Sequence, residues 1–318
     1  MSSEARVTVL MAVHNGERHL EASIDSILAQ TFEDFELLVV DDASTDATPR
    51  ILAGYANADA RLRVVRNELN LGLTRSLNLG LRAAHGRYIA RQDADDISAP
   101  DRLQRQTAFL DANSDVAMVA SSYVRIREDG SPIAVRPVPL DAIGIRWRLL
   151  FLNAFAHSSV MFRKDAAERL GGFREEFAFA QDYDLWSQLA WSGAVAALPK
   201  PLVQYREADD SMTATIAADV DDVDRISRDN MRRLGSAGAR VAERVDREAA
   251  WHLLLAGTRR LTLGRAVAAA RDIVALERAF ARSERLPARI RLRRRAALAA
   301  HLARSLAALE ARKGRRRG

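Results

Sequence analysis

Two groups of aspartates are the residues of this sequence most able to do chemistry together. Asp41 and Asp42 end one apolar run, and Asp93, Asp95 and Asp96 follow another. Mg²⁺ and Mn²⁺ are hard cations that take carboxylate oxygens and substrate phosphates as ligands. Five carboxylates brought to one place repel one another unless a cation or a hydrogen-bonding ligand compensates. The two groups therefore predict either a binding site or an exposed acidic loop.

The triplet Asp93-Ala94-Asp95 has a second interpretation when it is taken alone. Aspartate is favoured in turns and at helix N-caps, and Ser98-Ala99-Pro100 is typical of the entry to a helix. The spacing by itself leaves a solvated turn and a functional site equally open.

The elements that must position these aspartates alternate between strand and helix. Apolar, β-branched runs predict strands over residues 6–13, 36–40, 62–65 and 87–90. Helical spacing of apolar residues predicts helices over 17–30, from 48 onward and after 72. Such alternation with short links predicts an α/β fold with a mostly parallel sheet and helices on both faces. Ligands bind these sheets at the carboxyl ends of the strands, which is where both aspartate groups fall.

The alternation fades after residue 115. Strands are predicted over 116–126, over 133–138 after an Asp129-Gly130 hairpin turn, and over 156–162. From residue 217 onward only helical patterns remain, including two helices separated by Gly264. We therefore expect an α/β domain over 1–215, with halves that meet near residue 115, and an all-helical extension over 216–318.

The charge of the chain is distributed unevenly. Its 48 Lys and Arg against 42 Asp and Glu give a formal charge of +6 and a pI near 10.1, which suggests a nucleic-acid partner. Twelve of the basic residues and one acid, Glu310, lie in residues 285–318. The rest of the chain has thirty-six basic and forty-one acidic side chains, so its net charge is −5. The basic excess belongs to the tail, and we do not expect the body to bind nucleic acid.

Several classes of protein are excluded or disfavoured by composition. The chain has no cysteine, which excludes disulfides, thiolate nucleophiles and zinc–cysteine sites and is compatible with a reducing cytosol. A dinucleotide-binding fold is disfavoured because a single glycine, Gly16, follows the first strand. The apolar stretch over 149–162 is shorter than the ~20 residues of a spanning helix, so we expect no membrane crossing.

Five motifs of the chain resemble family 2 glycosyltransferases. They are Val7–Glu17, Ser26–Phe32, Phe35–Asp46, Asp93–Asp96 and Gln181–Trp186. The motifs occur in the family's order over residues 6–206, so the resemblance rests on their combination. It implies a GT-A fold, which is Rossmann-like, a nucleotide-sugar donor and inversion at the anomeric carbon. Residues 1–115 would then form the nucleotide-sugar half and 116–215 the acceptor half.

The resemblance also implies a nucleotide pocket. Ala12, Val13, His14 and Asp42 would line the nucleobase, with the Asp42 carboxylate accepting a hydrogen bond from the imide N–H of uracil or thymine. Arg75 lies where the family often places a basic residue near the nucleotide. UDP and dTDP are therefore the favoured carriers.

A metal motif and a general base complete the implied site. Asp93-Ala94-Asp95 would hold Mn²⁺ or Mg²⁺ against the diphosphate, with Asp95 as the direct ligand and Asp93 acting through water or the ribose. Asp182 would take the proton of the acceptor hydroxyl as that oxygen attacks the sugar. Its alternative role is an N-cap for a helix over Tyr183–Ala190.

The chain departs from the family pattern at four positions. The family usually has Pro and Tyr where this chain has Ala12 and His14, and Glu where it has Gln181. Many members carry a His where this chain has Ala208. Gln181 removes a negative charge beside the implied base, which lowers the pKa of Asp182 relative to a Glu neighbour. These departures leave open a catalytically degenerate member that binds a nucleotide, or nucleic acid through its tail.

The basic tail has two interpretations. A leucine stripe flanked by arginines predicts an amphipathic helix that rests on an anionic membrane surface, where lipid-linked acceptors lie; the stripe comprises Leu298, Leu302, Leu306 and Leu309. Alternatively, the stripe packs on the preceding helices. The resulting expectation is an enzyme of the cytoplasm or of the inner membrane face that acts on a sugar or lipid-linked acceptor.

His157-Ser158-Ser159 is the remaining candidate for chemistry. Adjacent residues of a strand point to opposite faces, and no glycine elbow surrounds these residues, so a nucleophile–base pair is disfavoured. We expect His157 to lie near the acceptor cleft or to be packed in the core.

Overall fold

The computed structural model describes residues 5–139, 141–177, 180–207, 220–246, 249–250, 253–254 and 261–315. Two compact units divide the chain. The first comprises Met1–Arg146 and Asn153–Asp222, and the second comprises Trp147–Leu152 and Val223–Gly318. The domain boundary expected near residue 215 falls within 208–219, outside the described residues.

The first unit is a mixed α/β structure. Its strands are β1 Val7–Val13, β2 Phe35–Asp41, β3 Leu62–Arg66, β4 Tyr88–Arg91, β5 Ile97–Ser98, β6 Val116–Ile126, β7 Pro132–Arg136, β8 Met161–Arg163 and β9 Ala194–Arg206. Its helices are α1 Leu20–Leu28, α2 Thr48–Ala58, α3 Leu73–Ala83, α4 Arg102–Ala112, α5 Ala142–Leu149, α6 Lys164–Arg169 and α7 Gln181–Ser192. Helix α5 ends inside the second unit.

The strands form one sheet in the described part of the chain, in the order β3-β2-β1-β4-β8-β6-β9-β5, with β7 beside β6. β1 runs parallel to β2 and β4, and β2 runs parallel to β3. Beyond β4 the directions are mixed, since β8 is antiparallel to β4 and β6, whereas β6 and β9 are parallel. The carboxyl ends of β1, β2 and β4 therefore meet at one edge, as the sequence predicts.

The parallel part of the sheet is covered on both faces. Every residue of β1 and β2 is buried, which explains why both strands have near-continuous apolar runs. Leu20, Leu52 and Leu103, from α1, α2 and α4, share a core with alternate residues of these strands. Helix α3 covers the other face, where Gly80 lets it approach Leu10 of β1 so closely that a Cβ would collide.

One predicted strand is partly wrong. Residues 156–162 form a 3₁₀ turn over His157–Ser159, and strand β8 begins only at Met161. The Ser159 hydroxyl donates a hydrogen bond to the carbonyl of Ala156 at 2.7 Å, a local bond that competes with strand pairing.

The second unit is helical in its described residues. It contains most of α8 Val220–Arg232, α9 Ser236–Ala242, α10 Leu263–Ser283 and α11 Ala288–Arg315. Two side chains of α8 explain why residues 147–152 belong to this unit. The Ser227 hydroxyl donates to the carbonyl of Leu150 at 2.6 Å, and the Asn230 amide donates to that of Leu149 at 2.8 Å.

The C-terminal helices differ from the prediction in one respect. Gly264 lies in the first turn of α10 instead of separating two helices, and most of the predicted preceding helix lies outside the described residues. In the tail helix α11, Leu302 and Leu309 are buried, so the leucine stripe faces protein. No helix in the described ranges combines the length and apolar character needed to span a bilayer.

Candidate active site

The loops after β1 and β2 are tied together by short hydrogen bonds. The backbone N–H of Asp42 donates to the carbonyl of Val13 at 2.8 Å. Nδ1 of His14 lies 2.8 Å from the carbonyl of Asp42, which can only accept, so the proton of the ring is on Nδ1. Asn15 and Ala43 both have positive φ angles, 52° and 56°. Strained backbone at two adjacent loops marks this edge as a candidate site.

Asp42 is a buried carboxylate held by three donors. Oδ1 accepts from the Asn67 side chain at 2.7 Å and from the backbone N–H of Leu71 at 2.8 Å, and Oδ2 accepts from the N–H of Gly72 at 2.8 Å. Burial opposes ionisation, but these bonds and Ser76 outweigh it and lower the pKa of Asp42. Asp42 is therefore a fixed, ionised acceptor at the end of β2, beside the buried Ala12 and Val13.

The loop after β4 begins with a buried ion pair. Arg91 is inaccessible to solvent, and its guanidinium pairs with Oδ1 of Asp93 and donates to the carbonyl of Leu10 at 3.1 Å. Burial opposes ionisation of Asp93, but Arg91 and a hydrogen bond from Ser158 lower its pKa below the usual value. Asp93 is therefore ionised, with Oδ1 paired to Arg91 and Oδ2 3.4 Å from the Ser158 hydroxyl.

His157 lies against the same guanidinium. Its Nε2 accepts a hydrogen bond from Nε of Arg91 at 3.1 Å, which places the ring proton on Nδ1, 3.9 Å from Oδ2 of Asp93. Burial and the charge of Arg91 lower the pKa of His157 to about 3, so the ring is neutral. The ring centroids of Trp186 and Phe173 lie 5.9 Å and 6.3 Å away and fix its orientation.

Asp95 is the least engaged acid of the loop. Within the described ranges, no hydrogen bond from another residue reaches its carboxylate, and Nε of Arg206 binds only its backbone carbonyl, at 3.0 Å. Burial and the nearby charge of Asp93 raise the pKa of Asp95 to about 6. Asp96 is buried, accepts from the N–H of Arg206 at 2.8 Å, and has its pKa raised well above the usual range by burial and by Asp95. The loop thus gathers three acids that disfavour one another's ionisation.

Asp182 lies in the first turn of α7. Its Oδ1 accepts from the N–H of Tyr183 at 2.6 Å, and its Oδ2 accepts from the Asn153 side chain at 2.7 Å. The residue at the N-cap of α7 is Ala180, and Asp182 does not cap the helix. Burial raises the pKa of Asp182 to about 6, and the charges of Asp93 and Arg91 act on it in opposite directions. Asp182 therefore shares the electrostatic environment of the β4 loop.

The donor set fits a hard divalent cation that keeps ligands from a substrate. No group of three or more His, Cys, Asp or Glu within the described ranges is arranged to hold a metal by itself. Mg²⁺ in phosphate-handling sites is usually bound by one or two carboxylates and completed by phosphate oxygens. The partly buried Asp95 carboxylate, which accepts no hydrogen bond from another described residue, lies next to the ionised Asp93 and matches that requirement.

Arg75 stands apart from these carboxylates. It lies in the first turn of α3, three residues after Gly72, and its guanidinium pairs with Glu175 at 2.9 Å in an exposed ion pair. Ala94 lies between Asp93 and Asp95 in the β4 loop, and Ala208 lies outside the described residues.

Sequence reasoning assigned no role to several residues that shape this site. Three of them contact the aspartates through long-range hydrogen bonds: Asn153, Ser158 and Arg206. Arg91 pairs with Asp93, two residues further along the chain. A charged residue at the end of an apolar strand was a usable signal for Arg91. Asn153 is 29 residues from Asp182, and nothing in the local pattern pairs the two.

Solved structures place this architecture in the GT-A class of glycosyltransferase folds. Staphylococcus aureus TarS, residues 1–349 in complex with UDP-GlcNAc, superposes with a TM-score of 0.63 at 19% identity, covering 86% of this chain and 82% of that TarS fragment. The mannosyltransferase PcManGT of Pyrobaculum calidifontis, in complex with GDP-Man and Mn²⁺, superposes with a TM-score of 0.53 at 21% identity. The superposition covers 94% of this chain and 81% of the PcManGT chain. At these identities the similarity establishes the fold, and the predicted fold class is confirmed.

Sequence comparison identifies the family. Residues 8–171 match the model described as glycosyl transferase family 2, and the chain belongs to that family. An uncharacterized glycosyltransferase of Haemophilus influenzae is 32% identical over 209 residues, or 63% of this chain and 65% of that protein. The O-antigen biosynthesis glycosyltransferase WbnJ of Escherichia coli is 34% identical over 184 residues, or 58% and 71%. The chain thus matches slightly less than two thirds of the length of the first relative, and the family resemblance of the sequence is confirmed.

Proposed function

We propose that this chain is a metal-dependent, inverting glycosyltransferase that moves one sugar from a nucleoside-diphosphate sugar to a hydroxyl acceptor. The observation that carries the proposal is the Asp182 carboxylate. It is largely buried, its pKa is about 6, and the charge of Asp93 in the β4 loop reaches it. A base near neutrality beside a set of carboxylates suited to a metal diphosphate is what such a displacement requires.

Asp182 is the general base of the proposed reaction. Its carboxylate takes the proton of the acceptor hydroxyl while the acceptor oxygen forms a bond to the anomeric carbon. The bond from that carbon to the donor phosphate oxygen breaks, and the diphosphate leaves with the electron pair. Attack from the face opposite the leaving group inverts the configuration.

The other proposed residues bind the donor. Ala12, Val13, His14 and Asp42 form the nucleobase pocket, with the ionised Asp42 suited to accept from an imide N–H. The uracil of UDP and the thymine of dTDP both carry an imide N–H that can donate to Asp42. Arg75 can reach the nucleotide if its exposed pair with Glu175 opens, since such pairs contribute little.

Asp95 and Asp93 are the proposed metal residues. Asp95 would be the direct ligand of Mn²⁺ or Mg²⁺, and Asp93 would act from beside it, held by Arg91. The bound metal would neutralise the charge that develops on the diphosphate.

Substitution of Asp182 tests the reaction directly. We expect Asp182→Asn to lower transfer by at least about 10²-fold, because general-base catalysis contributes about 10²–10⁴-fold, while the affinity for the nucleotide persists. Asp165→Asn, at an exposed acid on α6, is the matched control and should retain full activity. Unimpaired turnover by Asp182→Asn would refute the mechanism.

A thermal-shift screen identifies the donor. UDP-, dTDP- and GDP-sugars are compared at equal concentration, each with and without Mn²⁺, and the sugar nucleotide that binds most tightly is expected to raise the melting temperature most. The catalytically degenerate alternative requires nucleotide stabilisation without turnover of any donor. If it also binds nucleic acid through its tail, that binding should be salt-dependent and lost on deletion of residues 285–318.

The proposed setting is the synthesis of a bacterial surface polysaccharide or glycolipid, on a sugar or lipid-linked acceptor. The name of the E. coli relative, which refers to O-antigen biosynthesis, supports this setting. The proposed location is the cytoplasm or the inner face of the membrane. The exposed arginines of α11 support a location at the membrane, because the cytoplasmic leaflet carries anionic lipids that attract positive charge.

A further inference from the structure

One short segment, Asn153–Ser159, contacts both the proposed base and the proposed metal motif. At its start, the Asn153 side chain donates to Oδ2 of Asp182 at 2.7 Å. Near its end, the Ser158 hydroxyl accepts from the backbone N–H of Asp93 at 2.9 Å and lies 3.4 Å from Oδ2 of the same residue. The two acids therefore share one stretch of backbone as their support.

The Asn153 amide is held at both of its polar ends. Its Oδ1 accepts from the N–H of Phe155 at 3.2 Å, so its nitrogen faces Asp182. The other oxygen of Asp182 is engaged by the N–H of Tyr183. Asn153 is thus the side chain that fixes the rotation of the Asp182 carboxylate.

The other end of the segment is equally constrained. His157 accepts from Arg91 at 3.1 Å, and Arg91 pairs with Asp93. Ser158 is fully buried, and its hydroxyl bonds to both the backbone N–H and the carboxylate of Asp93. Displacement of the segment would move both acids or change the distance between them.

We propose that the segment Asn153–Ser159 sets the position of the base relative to the metal motif, with Asn153 and Ser158 as positioning residues. The inference rests on the proposed function, in which Asp182 acts on one face of the anomeric carbon and the diphosphate leaves from the other. Reactions of this kind depend on near-attack geometry, and a misplacement of about 1 Å can lower the rate by about 10²-fold. Asn153 acts through Asp182, and Ser158 acts through Asp93.

The two positioning residues should have separable effects. The charged groups that act on Asp182 are Asp93, which raises its pKa, and Arg91, which lowers it, while the bonds from Asn153 and Tyr183 favour its ionised form. Loss of the Asn153 donor therefore affects the base. Loss of the Ser158 hydroxyl affects Asp93 of the proposed metal motif.

The first experiment uses Asn153→Ala in the full chain. With whichever sugar nucleotide the wild-type chain turns over, we expect kcat to fall about 10-fold or more, and the acid limb of the pH–rate profile to move up by about one pH unit. Calorimetric affinity for the matching nucleoside diphosphate with Mn²⁺ should stay within about twofold, since no donor-binding group changes. Asn113→Ala is the control, because that amide also donates a single bond, at 2.8 Å, to the carbonyl of Phe109.

The second experiment uses Ser158→Ala and should give the opposite pattern. We expect the affinity of this variant for the nucleoside diphosphate to fall several-fold in the presence of Mn²⁺. Its affinity for the nucleoside diphosphate without metal should stay at the wild-type value, and so should the acid limb of its pH–rate profile. Thermal melts of each variant separate these effects from loss of folding.

The outcomes distinguish this inference from the proposed function. Wild-type kcat and an unmoved acid limb in Asn153→Ala, together with an inactive Asp182→Asn, would overturn the inference and leave the base in place. Active Asp182→Asn, or a wild-type chain that turns over no donor, would overturn the proposed function and the inference with it.

Discussion

The acids of the site differ in ionisation although they have the same side chain. Asp42 and Asp93 have lowered pKa values because donors and a guanidinium surround them. Asp95 and Asp182 have pKa values of about 6 because burial and the charge of Asp93 oppose their ionisation. Groups whose surroundings push their pKa values apart can take different roles in one reaction. Lowered pKa values suit permanent hydrogen-bond acceptors, and a raised value suits the proton acceptor proposed at Asp182. Asp95 would have to lose its proton to bind a metal.

At the residue scale, the pKa of Asp182 predicts how activity depends on pH. The base works only when ionised, so kcat/KM should fall about tenfold per pH unit below pH about 6 and level off above it. Asp95 also titrates near 6, but a bound cation lowers its pKa. The measurement is therefore made at saturating Mn²⁺. A profile that is flat down to pH 4.5 would contradict the assignment of Asp182.

At the element scale, the turn between β3 and α3 supports Asp42 of the proposed nucleotide pocket. Gly72 has φ 84° and ψ 161°, a region that is almost restricted to glycine, and its N–H holds Asp42. The turn is exposed beside Asp42, where the side chain of Leu71 is 40% accessible. The position of the Asp42 carboxylate therefore depends on the backbone conformation of Gly72.

Substitution of Gly72 by Ala tests that coupling. A Cβ at this position meets no atom within 4 Å, so the change adds backbone strain alone. We expect Gly72→Ala to lower the free energy of unfolding by about 1–3 kcal/mol and to weaken nucleotide binding. Gly54→Ala is the control, because Gly54 lies inside α2 with open space around it. That change should raise stability by about 0.5–1 kcal/mol and leave nucleotide affinity unchanged.

In the second unit, one arginine joins α10 and α11. The guanidinium of Arg294 lies 5.4 Å from the ring centroid of Trp147 and 5.2 Å from that of Phe280, and it pairs with the buried Glu277 at 3.5 Å. Arg295 pairs with the same carboxylate at 3.5 Å. The tail helix is therefore held by charge and by aromatic contacts as well as by its leucines.

Arg294→Ala should destabilise the helical unit. Removal of the guanidinium deprives a buried carboxylate of one partner and two rings of a cation, which we expect to cost about 1–3 kcal/mol after compensation by Arg295. Arg293→Ala, at an exposed position of the same helix, should change stability by less than about 0.5 kcal/mol. Equal thermal melts for the two variants would exclude this role of Arg294.

At the scale of the whole molecule, the charge of the chain is divided between a body of net charge −5 and a tail of net charge +11. Leu302 and Leu309 face protein, so insertion of the leucine stripe into a bilayer is not available without unpacking α11. The exposed arginines of α11 remain, and they are suited to electrostatic adsorption on an anionic surface.

Vesicle binding tests this interpretation of the tail. We expect co-sedimentation with phosphatidylglycerol vesicles, none with phosphatidylcholine vesicles, and loss of binding as salt rises towards about 1 M. Replacing Arg289, Arg293 and Arg304 by Gln should weaken binding about 100-fold, at about 1 kcal/mol for each arginine. The matched control replaces three exposed arginines of the body, Arg50, Arg82 and Arg169. Binding that survives both triple substitutions would exclude adsorption through the tail.

Much of the fold could be predicted because its signals are local. The buried runs of β1 and β2 are continuous in sequence, and the parallel arrangement follows from alternation with helices. The position of Asp42 and Asp93 at one edge follows from that arrangement. The 3₁₀ turn at His157 could not be predicted from hydrophobic periodicity. The Ser159 hydroxyl bonds to the carbonyl of Ala156, and this side-chain bond to the backbone competes with strand pairing.

The sequence by itself therefore determined the α/β class, the family and the edge of the sheet where the aspartates lie. Only the tertiary structure decided how each aspartate is engaged: Asp93 by Ser158 as well as by its neighbour Arg91, Asp182 by Asn153, and Asp95 by no side-chain donor in the described residues. The physical reason is that hydrophobic periodicity acts over a few residues. Burial and charge pairing, which set the pKa of each carboxyl, depend on groups brought together from distant parts of the chain.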